Sequence, residues 1–133
     1  ANVCVILSDK KISSPIVTKY DTVIALNQQS LDKFQGAVKP GGLLIYDPNG
    51  INNPPTRTDV KVCRIDAINV AAKVGNSKVY NMAVMGAFLK MKPIISFENI
   101  DKGLAKCIPA RYADLISLNK KAIEEGMNAV EEL

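Results

Sequence analysis

Three short polar clusters, Ser8-Asp9, Asn27-Gln28 and Asp47-Pro48-Asn49, each follow an apolar run and carry groups that can bind a small molecule. In open α/β sheets, amides, hydroxyls and carboxylates at the carboxyl ends of parallel strands are the usual ligand contacts. Three such ends on one edge make a cleft that hydrogen-bonds a ligand. The plainer use of the same residue types is to cap helices and close turns. A fourth candidate, Gly75-Asn76-Ser77, stands before a helical pattern, where backbone N–H groups suit a phosphate and Lys78 adds charge. It lacks the spacing of a phosphate-binding loop, and a lone glycine between two helices ordinarily ends the first of them.

What the chain lacks disfavours self-contained catalysis. There is no histidine, which removes the commonest general base and every Ser/His/Asp or Cys/His arrangement. Cys4, Cys63 and Cys107 stand far apart in apolar surroundings with no CxxC, so neither an iron–sulfur cluster nor a zinc site is expected within the chain. Three thiols, an odd number, fit a reducing cytosol and hence a cytoplasmic protein. Glu124-Glu125 and Glu131-Glu132 are sequence neighbours, point apart on a helix, and read as a solvated face rather than an acid/base pair. Seventeen basic and thirteen acidic residues leave a net charge of +4, with no basic run interleaved with aromatics. Nucleic acid is therefore not an expected partner, while an acidic partner or an anionic ligand is compatible with the charge. No apolar run approaches membrane-spanning length, and no membrane association is expected.

The elements that must position these groups read as one α/β domain over residues 1–133. Residues 2–7 (NVCVIL) form a strand buried on both faces, and Ser13-Ser14-Pro15 breaks the pattern. Residues 22–26 form a second strand. Ser30 caps a helix carrying Leu31, Phe34 and Val38, which Pro40-Gly41-Gly42 stops before a strand at 43–46. The stretch from Asp47 to Asp59 is a long loop, of the kind that is often functional or mobile. Residues 60–65 alternate, with Lys61 and Arg64 outward, and suggest an edge strand. Asp66 caps a helix over Ala67–Val74 that Gly75 ends; further helices span 77–91 and 96–106, the latter capped by Ser96. Pro109 opens the last helix, which runs to about Leu133 with Tyr112, Ile116, Ile123, Met127 and Val130 as its apolar stripe. Short strands that are apolar on both faces, joined by crossover helices, predict a three-layer α/β/α domain with a mainly parallel sheet.

The helix at 77–91 is apolar nearly all round. Ala83, Gly86 and Ala87 make a smooth ridge that another backbone can approach closely, either in this domain's core or on a partner. Its methionines, Met82, Met85 and Met91, suit an adaptable contact surface. Asn81 is polar within it and must find partners if buried.

IALNQ at 24–28, SLDKF at 30–34, KPGGLLIY at 39–46 and the pattern Gly75-Asn76-x-Lys78-x-x-Asn81-Met82-x-x-x-Gly86 appear in that order. In these stretches the chain resembles the gamma subunit, or gamma domain, of 2-oxoacid:ferredoxin oxidoreductases. The likeness covers nearly all of this chain but only about the C-terminal two-thirds of that domain; nothing here matches its N-terminal glycine-rich segment. Such enzymes oxidatively decarboxylate a 2-oxoacid with coenzyme A, making acyl-CoA and passing electrons to ferredoxin. The resemblance implies a non-catalytic gamma subunit, with 2-oxoglutarate or pyruvate as the substrate of the whole complex. It implies alpha, beta and ferredoxin-like delta subunits as partners. Thiamine diphosphate, magnesium and 4Fe-4S clusters would lie on those other chains. It also implies that this chain helps to enclose coenzyme A, with Asn27, Gln28, Asn76 and Asn81 on that side. The residues alone leave two alternatives open: a stand-alone nucleotide- or CoA-binding module, and a purely structural interaction protein.

Overall fold

Parallel pairing organises the molecule, a computed structural model that describes residues 2–14 and 16–133. Strands β1 (Tyr20–Ala25), β2 (Val38–Tyr46) and β3 (Lys61–Arg64) pair side by side in parallel, and a two-residue β4 (Glu131–Glu132) joins β3 antiparallel. Five α-helices complete the fold among the described residues: α1 (Gln28–Phe34), α2 (Ala67–Val74), α3 (Tyr80–Met91), α4 (Phe97–Cys107) and α5 (Asp114–Ala129). The mainly parallel α/β reading therefore holds.

Side chains alternate across β2, so it feeds two cores. Leu44 and Tyr46 pack with Val23, Ala25 and Leu31 under α1, whereas Leu43 and Ile45 pack with Ala67, Val70, Ala83, Val84 and Ala87 under α2 and α3. Leu31, Leu44 and Ile45 are completely buried, each worth about 1.5–3 kcal/mol of transfer free energy. Outside α3, a further cluster joins Leu89 to Ile100 and Leu104 of α4 and Ile123 of α5.

Several expected elements differ. Residues 2–7 form no strand, and Val3, Val5 and Leu7 are 88%, 73% and 70% exposed. A strand is stable only when neighbours take up its backbone groups and one face is covered, and no described residue does so here. Ala1 and the expected breaker Pro15 lie outside the described residues. The first helix is capped by Asn27 rather than Ser30: the Asn27 Oδ1 accepts the Ser30 N–H at 2.8 Å. It ends at Phe34, and Val38 already belongs to β2.

Pro40-Gly41-Gly42 thus lies inside a strand, in an irregularity where Tyr20 pairs with Val38 but Thr22 pairs with Leu43. The extra β2 residues loop out of the ladder, which suits a proline without an N–H. Gly41 there has φ +78°, and its N–H donates to the Asp59 carbonyl at 2.7 Å.

At the other end of the chain, α5 stops at Ala129 instead of reaching Leu133. The Leu133 N–H donates to the Val62 carbonyl at 2.9 Å. β3 is therefore not the edge. Glu131 and Glu132, read as part of a helical face, instead pair with Arg64 and Lys61 across the β3–β4 ladder.

The small-residue ridge packs within the domain, against α5. A Cβ at Gly86 would run into the Ile123 carbonyl, and one at Gly126 would run into the Ala83 carbonyl. Each glycine lets the other helix's backbone come close, while Ala83 and Ala87 face the sheet. Tyr112 is exposed and drops out of the expected α5 stripe, because a 3₁₀ turn over Ala110–Tyr112 precedes the helix.

Candidate functional site

The carboxyl ends of three parallel strands meet at one edge: Asn27 beyond β1, Asp47 beyond β2 and Asp66 beyond β3. Asp47 is 1% exposed and central. Its Oδ1 accepts the Asn49 backbone N–H at 2.9 Å and the Asn49 side-chain amide at 2.7 Å, and its Oδ2 accepts the Tyr80 hydroxyl at 2.7 Å. The Asn49 amide also donates to Asp66 at 2.7 Å, which links the β2 and β3 ends. Asp66 in turn caps α2 through the Asn69 N–H at 3.2 Å and accepts the Asn69 side-chain amide. Close backbone contact seals the β1–β2 side, since a Cβ at Gly50 would strike the Leu26 carbonyl.

Gln28 clamps the long loop after β2. Its Oε1 accepts the N–H groups of Asn52 and Asn53 at 2.9 and 2.8 Å, and its Nε2 donates to Asp32 at 2.9 Å and to the Asn53 carbonyl at 3.1 Å. Arg57 ties down the far end of the loop. It donates to the carbonyls of Gln35 and Val38 at 2.8 and 3.1 Å and holds Asp59 bidentately at 2.6 and 2.7 Å. A loop expected to be functional or mobile is thus stitched to α1 and to the start of β2.

These bonds set the electrostatics. Burial first, then the bond to Asp47, pushes the Tyr80 hydroxyl far above its ordinary range, so it stays protonated as the donor to Asp47. Partial burial works to raise Asp66, but the bonds from Asn49 and Asn69 together outweigh it and hold its carboxyl below the usual range. Burial raises the Cys63 thiol, which makes it an inert core group. Among the described residues, every buried side-chain nitrogen or oxygen has a hydrogen-bond partner, and no three His, Cys, Asp or Glu side chains gather to hold a metal. The edge is a braced scaffold with acceptors already in use. It has no nucleophile–base pair.

The structure brings Asn27-Gln28 and Asp47-Asn49 to one edge, and it leaves Ser8-Asp9 out. Among the described residues no strand precedes Ser8, whose hydroxyl accepts the Lys10 N–H at 3.0 Å. Gly75 adopts φ +97° as the C-cap of α2, and the N–H groups of Gly75 and Asn76 donate to the carbonyls of Ala71 and Ala72. Those donors are spent on the helix, which removes the phosphate nest. The Asn76 side chain accepts the Lys78 N–H at 2.9 Å. Asn81 is exposed on α3, one residue beyond Tyr80 and so at the same end of the sheet. The Asp47–Tyr80 bond escaped the reading of the sequence because it joins positions 33 residues apart. A tyrosine opening an otherwise apolar helix was the available sign.

Comparisons with known proteins agree with this architecture. A family model described as "Pyruvate ferredoxin/flavodoxin oxidoreductase" matches residues 1–129. The 2-oxoglutarate synthase subunit KorC of Methanocaldococcus jannaschii is 27% identical over 97% of this chain and 68% of its own length. Ketoisovalerate oxidoreductase subunit VorA of Methanothermobacter marburgensis is 25% identical over 92% of this chain and 25% of its own. Among solved structures, the keto/oxoacid ferredoxin oxidoreductase gamma subunit from Geobacter sulfurreducens superposes with a TM-score of 0.76 at 26% identity, over 92% of this chain and 66% of that one. The chain thus spans about two thirds of the KorC and Geobacter proteins and about a quarter of VorA.

Proposed function

The chain belongs to the pyruvate ferredoxin/flavodoxin oxidoreductase family, and on that premise we propose that it is the gamma part of a 2-oxoacid:ferredoxin oxidoreductase. It acts as a non-catalytic subunit of a cytoplasmic complex that converts a 2-oxoacid to acyl-CoA, with 2-oxoglutarate the first candidate and pyruvate the second. The observation that carries this reading is the fold match to the Geobacter gamma subunit at a TM-score of 0.76. The likeness to KorC, named for 2-oxoglutarate, supports the order of substrates.

The residues present do not fit the redox and decarboxylation cofactors such a complex requires. Cys4 and Cys107 are exposed and Cys63 is buried, with no clustering for an iron–sulfur centre. The carboxylates at the sheet edge are bonded to asparagines and a tyrosine, which leaves none to hold a magnesium–diphosphate group. Thiamine diphosphate, magnesium and 4Fe-4S clusters therefore belong to the alpha, beta and delta partners in this proposal.

Coenzyme A comes closer. The side-chain amides of Asn27, beyond β1, and of Asn81, next to Tyr80, donate no bond among the described residues, and Gln28 holds the loop beside Asn27; the Asn76 side chain turns inward to accept the Lys78 N–H. Asn81→Ala in the assembled complex should raise the KM for coenzyme A several-fold with kcat unchanged; an unchanged KM would remove Asn81 from the site.

The subunit role is tested by isolating the tagged chain from its own cells. The expected result is a complex with larger chains, thiamine diphosphate and iron, active on one member of a 2-oxoacid panel only when coenzyme A is present. A chain recovered alone, with no such activity in the eluate, overturns the proposal.

A further inference from the structure

The amino ends of the strands carry a different chemistry. Two cavities of about 310 and 380 Å³ open there and share Asp21, Lys39 and Lys92 as walls. Lys61 lines the first and Lys19 the second. Lys39 pairs with Asp21 at 3.1 Å and Lys61 with Glu132 at 3.3 Å. By contrast, Lys92 reaches only the Thr22 hydroxyl, at 3.5 Å, and Lys19 only the Gly36 carbonyl, at 3.0 Å. Among the described residues neither of these two has a carboxylate in ion-pair range, so four ammonium groups face two carboxylates.

The fold builds this excess. The irregular β1–β2 pairing places Lys39 and the Gly41-Gly42 backbone at the cleft floor, and the end of α3 delivers Lys92. The carbonyls at that helix end carry partial negative charge, which Lys90 and Lys92 offset. Beyond the lysines, Ile6, Val17, Phe88 and Ile94 give the second cavity an apolar wall.

We propose that this cleft binds a phosphate-bearing small molecule, its phosphates at Lys39, Lys61 and Lys92 and an apolar portion along Val17, Phe88 and Ile94. Several compact ammonium charges without an arginine fork suit a tetrahedral, multiply charged phosphate better than a planar carboxylate. The cavities are within the size range of small-molecule sites. The site lies at the opposite end of the sheet from Asn27 and Tyr80, and it does not depend on the subunit reading.

The test is a titration of the 133-residue chain with inorganic pyrophosphate and, separately, with ADP, followed by calorimetry and amide NMR. The expected result is saturable one-to-one binding, with shifts at Thr22, Lys39, Gly41, Gly42, Leu43, Lys61 and Lys92. ADP should bind more tightly and add shifts at Val17, Phe88 and Ile94. Lys92→Gln, which breaks no ion pair, should weaken binding several-fold, and the Lys39→Gln/Lys92→Gln pair at least tenfold. Lys106→Gln/Lys121→Gln removes the same charge elsewhere and should change nothing; melting curves check that each variant folds. The proposal is overturned by an absence of saturation, by equal weakening in both double variants, or by tighter binding of a polyglutamate peptide than of either phosphate. Equal affinity for ADP and pyrophosphate would overturn the apolar subsite.

Discussion

The two flanks of the sheet are finished to different degrees. On the β3 flank, β4 covers the strand edge, Arg64 and Lys61 meet Glu131 and Glu132, and α2, α3 and α5 interlock through Gly86 and Gly126. On the β1 flank, the sheet ends at β1 among the described residues. Ile24 and Leu26 are each 39% exposed there, and Met85 on the outer face of α3 is 44% exposed. In the proposed complex, this strand edge and its half-exposed apolar side chains are the surface left for a partner to cover. One flank holds the domain together by itself, and the other is suited to assembly.

That contrast predicts where substitutions act, and the largest effect belongs to the closed flank. Gly86→Leu forces a side chain into the Ile123 backbone. It should cost about 3 kcal/mol, the upper end for overpacking, and lower Tm by roughly 10 °C. Unchanged melting of the isolated chain would show that α3 and α5 do not cross so closely.

Next comes the carboxyl edge, which ties α3 to that flank. Tyr80→Phe deprives the buried Asp47 Oδ2 of its partner and should cost about 1.5–3 kcal/mol in denaturant unfolding. A loss below about 0.5 kcal/mol, the floor for an ordinary hydrogen bond, would mean that water replaces the hydroxyl.

Asp66→Ala removes the α2 cap and its bonds to Asn49 and Asn69, for about 0.5–2 kcal/mol at neutral pH. Because the Asp66 carboxyl is held below its unfolded value, its contribution is complete above about pH 4. That contribution is lost as pH falls through the lower folded value, so the gap between Asp66→Ala and the parent should close on acidification. A gap that widens below pH 4 would reverse the sign of the shift.

The smallest stability effect should come from the open flank. Ile24→Thr/Met85→Gln, which keeps the side-chain shape at these half-exposed sites, is expected to cost no more than about 1 kcal/mol, yet to weaken assembly. A large drop in Tm would show that these side chains already serve the core.

Much of the framework was legible in the sequence because its signals are local. The apolar runs at 22–26 and 43–46, the Asp66 and Ser96 caps and the Gly75 stop are each set within a few residues, and all reappear in the structure. What escaped depends on pairing at a distance. Glu131-Glu132 continues a helical pattern, and only the proximity of β3 makes it a strand. The Pro40-Gly41-Gly42 irregularity looks like a helix stop until β1 sets its register. Residues 2–7 have every mark of a strand except a partner among the described residues. At the candidate edge, Asn27 and Asp47 were found by position at strand ends, while Tyr80 and Arg57 act across 33 and about 20 residues.

Hydrogen exchange at β1 tests the central contrast most directly. In the isolated chain, the outward amides of Tyr20–Ala25 should exchange quickly while those of β3 are protected. In the complex isolated from cells, protection of the same β1 amides and of the α3 turn around Met85 should rise at least tenfold. β1 amides that exchange equally fast in both states would contradict the account, because the open flank would then have no partner.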